Sequence, residues 1–143
     1  RLFGLETVTF RYFNVYGNRQ PLKGQYAPVI GIFLRQKKAG QKLTIVGDGE
    51  QRRDFTNVED VVEANVLAAK SEEQFVSGGL FNIGTGKNYS ILEIAEIIGG
   101  DYEFIPPRLG ESRETLANIN KAKSILKWEP TIQLEEWIKE QFQ

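Results

Sequence analysis

The sequence has 143 residues, 41% hydrophobic and 26% charged, enough to bury the core of one domain or part of one. Its 18 Lys and Arg against 19 Asp and Glu give a formal charge of −1, so no basic excess points to nucleic acid and there is no acidic tail. Cys and His are absent, which excludes disulfides, thiol chemistry, the usual zinc sites and every Ser-His or Cys-His nucleophile pair.

In chain order, residues 7–13 are rich in β-branched and aromatic side chains and predict a buried strand. Asn14 to Gln25 is a polar loop punctuated by Gly17, Pro21 and Gly24. Val29, Ile32, Phe33 and Gln36 recur at helical spacing over Pro28 to Ala39, and Gly40 fits the stop. Leu43 to Val46 is a short strand, Gly47 to Glu50 a turn, and Asp54 to Thr56 extends again. Asn57 caps a helix from Val58 to about Lys70, with Val58, Val61, Val62, Ala64, Ala68 and Ala69 as its apolar face. Leu80 to Ile83 is a strand closed by Gly84 and Gly86. Ser90 and Glu93 form a capping box opening a helix to about Ile98. Tyr102 to Ile105 is a strand stopped by Pro106 and Pro107. Asn120 caps a helix ending near Lys127, and a last helix carries Leu134, Trp137, Ile138 and Phe142 on one face. Strands alternate with helices, which predicts an α/β fold, or α+β for an isolated fragment.

No apolar run approaches the roughly 20 residues needed to cross a bilayer, and no basic start precedes an apolar stretch. A cytoplasmic protein without a membrane partner is expected. A chain opening at Arg1 is expected to be processed or a fragment.

The catalytic inventory is short. A dinucleotide site needs a glycine-rich turn that lets backbone N–H groups approach a pyrophosphate. The only G-x-G pairs, at Gly47 and Gly84, lack the third glycine, and no P-loop exists. No tyrosine has a lysine four residues later. What remains is a set of arginines in loop-like stretches: Arg19, Arg52, Arg53, Arg108 and Arg113. A guanidinium matches phosphate oxygens bidentately, so several converging from separate loops would hold a diphosphate. For any single one, solvated surface is the ordinary alternative.

Arg11–Gly17 (RYFNVYG), Gly47–Asp60 (GDGEQRRDFTNVED), Phe81–Gly86 (FNIGTG), Pro107–Glu111 (PRLGE), Ala117–Lys123 (ANINKAK) and Trp128–Thr131 (WEPT) follow one another in an order that resembles a known family. It is that of the NAD-dependent nucleotide-sugar epimerase/dehydratases, which are extended short-chain dehydrogenase/reductases. The branch of UDP-glucose and UDP-N-acetylglucosamine 4-epimerases looks nearest. The resemblance covers the C-terminal, substrate-binding part over residues 1–143, with a remnant of the Rossmann sheet. The family's N-terminal half, with its G-x-x-G-x-x-G and Y-x-x-x-K motifs for NAD and catalysis, has no counterpart here. No catalytic residue and no metal ligand is therefore expected in this chain.

The resemblance implies a UDP-sugar ligand, an NAD cofactor held mainly by the other half, and a homodimer when intact. It implies that the Asn14 side chain bonds the phosphate region, that Arg53 and Arg108 grip the diphosphate, and that Glu111 meets the ribose hydroxyls. Ala27, Val29, Leu43, Thr44 and Val46 fall where relatives build the uracil pocket. Tyr12 and Phe13 resemble residues lining the nicotinamide, and Arg19 and Tyr26 lie in the loop that would face the sugar. Asp54 and Asn82 read as structural, Asn82 holding the turn at Gly84 and Thr85. Arg52 reads as surface, and Trp128 and Trp137 as core or interface. Rival expectations are a dTDP-glucose 4,6-dehydratase or heptose epimerase, a non-catalytic nucleotide-sugar-binding module, and an inert fragment.

Overall fold

A computed structural model describes residues 4, 6–24, 27–72 and 76–143. β1 (Thr9–Tyr12) lies parallel to β6 (Leu80–Ile83), and β2 (Val15–Tyr16) parallel to β5 (Thr56–Asn57). β3 (Leu43–Val46) lies parallel to β8 (Tyr102–Ile105), while β4 (Arg52–Arg53) runs antiparallel to β7 (Tyr89–Ser90). Parallel partners need crossover connections, and helices occupy them. α1 (Val29–Lys38) lies between β2 and β5, and α2 (Val58–Lys70) and α3 (Ile91–Ile98) between β3 and β8. A short π-helical turn (Ala122–Leu126) and α4 (Leu134–Glu140) follow. The α/β alternation expected from the sequence is present.

Strand alternation decides which side chains reach the core. In β3, Leu43 and Ile45 are fully buried against Phe33 of α1 and Ile94 of α3, with Trp137 and Ile138 of α4 closing the same cluster. Thr44 and Val46 point to the opposite face. A second cluster joins α2 to β6 and the π turn, through Val61, Ala64, Phe81, Ile83, Leu126 and Trp128. Both tryptophans are core residues; Trp128 donates its indole N–H to the Asp60 carbonyl at 2.9 Å.

Two of the three predicted caps form. Asn57 Oδ1 accepts the Glu59 N–H at 2.9 Å. Ser90 Oγ accepts the Glu93 N–H at 3.0 Å while Glu93 Oε2 accepts the Ser90 N–H at 2.6 Å. That backbone bond, opposed by some desolvation and reinforced by Arg52, holds the Glu93 carboxyl below its ordinary 4.5. A carboxyl with a lowered native pKa stabilises the fold fully above its unfolded value, and the contribution is lost as pH falls through the native one. Glu93→Gln is therefore expected to cost about 0.5 kcal/mol near neutral pH, the partly exposed pair with Arg52 adding little, and progressively less as pH falls below the ordinary carboxylate range. Urea titrations of both proteins across that range check it.

Several expectations need correction. β1 is shorter than expected and mostly exposed, because among the described residues it pairs on one side only, with β6. Of the stretch Asp54 to Thr56 only Thr56 pairs in a strand, and Asp54 and Phe55 form a buried link between β4 and β5. On α2, Val62 is 55% exposed and Ala69 also faces out. Each lies one step, about 100°, off the Val61–Ala64–Ala68 stripe that meets the second core. The turn before Leu126 is capped by Asn118, whose Oδ1 accepts the Asn120 N–H at 3.1 Å, and not by Asn120 itself. Phe142 lies beyond α4 and is 42% exposed.

Candidate functional site

A cavity of about 560 Å³ opens between the start of α1, the outer face of β3 and β8, β4 and the loop after β8. Asn14, Ala27, Val29, Thr44, Val46, Arg53, Arg108 and Glu111 all line it. These predicted ligand residues come from separate segments, and the fold brings them to one place. A second cleft of about 490 Å³ shares Val46, Arg108 and Glu111 with the first and adds Asp48 and Arg113.

β4 sorts its two arginines by alternation. Arg52 turns away from the cavity, where its Nε donates to Asn88 Oδ1 at 2.9 Å and its Nη2 meets Glu93 Oε2 at 3.0 Å. It is thus a half-buried bracket between β7 and α3, not a free surface residue. Arg53 faces the cavity, with Nη1 anchored on the Arg52 carbonyl at 2.9 Å. Arg108 is held more loosely, its Nη1 3.7 Å from Glu111 Oε1 across an exposed pair. Arg113 is taken by Asp48, both of whose oxygens accept Nη1 at 2.9 Å. That guanidinium holds the Asp48 carboxyl below its ordinary value, with the Glu50 backbone N–H adding to it. Of the five loop arginines, Arg53 and Arg108 line the first cavity and Arg19 does not.

The cavity rim is fixed by Asp54. Its carboxylate is fully buried and accepts four hydrogen bonds. Oδ1 takes the Thr85 N–H at 2.8 Å and the Thr85 hydroxyl at 2.7 Å; Oδ2 takes the Gly86 and Ala117 N–H groups at 3.0 Å. Gly84 allows this approach, since a Cβ there would sit against Ala117 Cβ and 2.9 Å from Asp54 Oδ2. Asp54, and not Asn82, holds the Gly84–Gly86 turn; Asn82 Nδ2 donates instead to the Asn118 carbonyl. Asn14 belongs to the same network. Its Nδ2 donates to the Asp54 carbonyl at 2.9 Å and to Thr115 Oγ1 at 3.1 Å. Both amide hydrogens are thereby committed, so the side chain offers the cavity Oδ1, an acceptor, rather than a donor for phosphate.

Of the residues expected in the base pocket, Leu43 is elsewhere, and Tyr12 and Phe13, expected at the nicotinamide, do not line this cavity. Leu43 is fully buried in the core, because one residue along a strand reverses the face. Tyr12 sits beside a separate cavity of about 630 Å³ between β1 and α2, its hydroxyl donating to Asn65 Oδ1 at 3.1 Å. Phe13 packs on the second core cluster. Tyr26 lies outside the described residues. Gln51, Phe55, Ile105 and Ser112 line the cavity without having been singled out. Gln51 had a readable signal: it is a polar residue directly before Arg52 and Arg53, and it is buried, with Nε2 donating to the Val46 carbonyl at 3.0 Å.

Residues 1–84 match the model of the NAD dependent epimerase/dehydratase family. The chain belongs to that family. Over 98% of its length it superposes on the crystal structure of a UDP-glucose 4-epimerase from Thermotoga maritima solved with UDP-glucose, at a TM-score of 0.87 and 39% identity. It is 37% identical to a UDP-glucose 4-epimerase of Mycolicibacterium smegmatis over 96% of the chain. It is 34% identical to a UDP-N-acetyl-alpha-D-glucosaminuronate decarboxylase of Bacillus cytotoxicus over 99% of the chain. The chain spans 47%, 44% and 47% of these three proteins respectively, less than half of each.

Proposed function

We propose that this chain is the UDP-hexose-binding part of an NAD-dependent 4-epimerase. The whole protein would interconvert UDP-glucose and UDP-galactose, or their N-acetyl forms, through a 4-keto intermediate. The observation that carries the reading is the meeting of Arg53 and Arg108, 55 positions apart by their numbers, in one cavity with apolar walls. Two guanidinium groups suit a diphosphate, and the flanking Val29, Val46 and Ile105 suit a flat base. Glu111 is an acceptor for vicinal ribose hydroxyls once Arg108 turns to phosphate. Asn14 Oδ1 is an acceptor for a sugar hydroxyl. Holding the nucleotide by its diphosphate places binding energy away from the sugar, which leaves the ring free to present either face.

NAD belongs to this reading through the rest of the protein. This chain has no G-x-G-x-x-G turn to hold a pyrophosphate, so its expected share of the NAD site is the nicotinamide-side pair Tyr12 and Phe13. No hydride step is assigned to them. The reading carries the N-terminal Rossmann half as partner, and a cytoplasmic homodimer.

Calorimetric titration of the chain tests the nucleotide handle. UDP is expected to bind at least about tenfold more tightly than uridine, as two charge-assisted contacts require. Equal affinities would overturn the diphosphate reading. Similarity to the Bacillus cytotoxicus decarboxylase supports a second reading, in which the same UDP-binding part serves another reaction at the sugar. Product analysis of the whole protein with UDP-glucose separates the two, UDP-galactose being the expected product.

A further inference from the structure

Residues 106–112 form the loop that carries Arg108 and Glu111 to the cavity. Among the described residues no hydrogen bond ties this stretch to another element of the fold. Its polar contacts stay within the loop or reach its exit: Arg108 leans on Glu111 at 3.7 Å, and Ser112 Oγ donates to the Glu114 carbonyl at 2.9 Å. Leu109 at its tip is fully exposed. The loop is therefore held by its two ends.

Both ends meet the turn between β3 and β4. At the entrance the Gly47 N–H donates to the Ile105 carbonyl at 2.9 Å, and a Cβ on Gly47 would lie 3.5 Å from Pro107 Cβ. At the exit the Arg52 N–H donates to the Arg113 carbonyl at 2.9 Å, and the Thr115 N–H to the Arg52 carbonyl at 3.0 Å. The Arg113 side chain then reaches back to the turn, its Nη1 2.9 Å from both oxygens of Asp48. Asp48 Oδ1 also accepts the Glu50 N–H at 3.0 Å, which keeps the carboxylate aimed. Asp48 and Arg113 line the second cleft and not the first, whereas Arg108 lines both. The pair thus stands outside the cavity in which Arg53 and Arg108 meet. A loop tied at both ends has less freedom to lose when its arginine meets an anion.

We propose that Asp48 and Arg113 are positioning residues, whose ion pair clasps the loop exit to the β3–β4 turn and so holds Arg108 ready for a diphosphate. This rests on the nucleotide-sugar reading above. The rival role for Arg113 is that of a third phosphate ligand, held in reserve by Asp48. The two roles assign opposite signs to one substitution. Neutralising Asp48 frees Arg113 and removes a negative charge near an anion site, so a ligand role tightens UDP binding. A positioning role weakens it, because the clasp is lost.

The test is calorimetric titration with UDP of the wild type, Asp48→Asn, Arg113→Leu, the two combined, and each combined with Arg108→Leu, at about 0.15 M salt to screen distant charge. An asparagine at position 48 still accepts the Glu50 N–H, so the turn survives and the ion pair goes. Asp48→Asn and Arg113→Leu are each expected to weaken UDP by about two- to fivefold, the range an exposed ion pair supplies. Together they are expected to lose no more than either alone. In the Arg108→Leu chain neither is expected to weaken UDP further, since the pair acts through that arginine; a merely structural role leaves its loss in place there. Both side chains are more than half exposed, so thermal melts followed by circular dichroism are expected to stay close to the wild type. If one variant does not fold, the other decides in the Arg108→Leu background. Unchanged or tighter UDP binding in folded Asp48→Asn overturns the proposal and leaves UDP binding standing, as does a loss undiminished in the Arg108→Leu chain. A wild type that binds no UDP overturns the nucleotide-sugar reading and this proposal together.

Discussion

Asp54→Asn is expected to lower the unfolding free energy by about 3–5 kcal/mol, although it removes no volume and only a charge. The reason lies in what surrounds the carboxylate. All four of its hydrogen bonds come from donors, three of them backbone N–H groups. An asparagine oxygen can still serve Thr85, but its NH₂ then faces the Gly86 and Ala117 N–H groups, donor against donor. Because the site is fully buried, no water relieves the clash. Asp54→Ala leaves all four donors unmet and is expected to cost as much or more. Urea denaturation measures both, and a loss under about 1 kcal/mol would show that these bonds do not fix the turn. UDP affinity should fall with stability, because Asn14 is tied to the Asp54 carbonyl and to Thr115, which also bonds the Asp54 N–H at 3.3 Å.

How much of this was legible in the sequence follows from the range of each interaction. Asn57 and Ser90 act on residues two and three positions away, so their caps could be read directly. The β3 strand was legible too, but the assignment of Leu43 to the base pocket was not, since periodicity gives two faces and does not say which is the core. The α2 face was misjudged at Val62 because valine is apolar wherever it points. Asn118 and Asn120 are both plausible caps at their spacing, and only the chain path chooses. Asp54 and Gln36 are a different case. Asp54 binds residues 31, 32 and 63 positions away, and nothing local marks an aspartate as the buried centre of such a network. Gln36 sits at a helical position that reads as core-facing, yet its partner Thr44 lies on another element. The arginines were legible only through their motifs. Composition alone could not separate Arg53 from Arg52, which β4 sends to opposite sides.

Arg53→Leu is expected to weaken UDP binding by about 30- to 150-fold, and Arg108→Leu by about tenfold, corresponding to roughly 2–3 and 1.4 kcal/mol. The order follows from how each guanidinium is held before the ligand arrives. Arg53 is half-buried on β4 and anchored on the Arg52 carbonyl, so it loses little side-chain freedom on binding. Arg108 stands in an exposed loop, its side chain 63% accessible, and leans on Glu111 at 3.7 Å. It must leave that contact and become ordered, which offsets part of what the phosphate contact contributes. Exposure also makes Arg108 the more salt-sensitive of the two, since solvent-facing charges are screened most. Raising the salt should therefore shrink the Arg108→Leu effect and leave most of the Arg53→Leu effect. Arg53→Lys separates charge from geometry: a point charge without the planar fork is expected to recover only a minor part of the loss. If both guanidinium groups grip one diphosphate, the double variant should lose less than the product of the single effects, because a ligand released by one arginine no longer lies where the other can hold it. Fully independent losses would count against one shared diphosphate, and Arg108 outranking Arg53 would overturn the argument from how each is held.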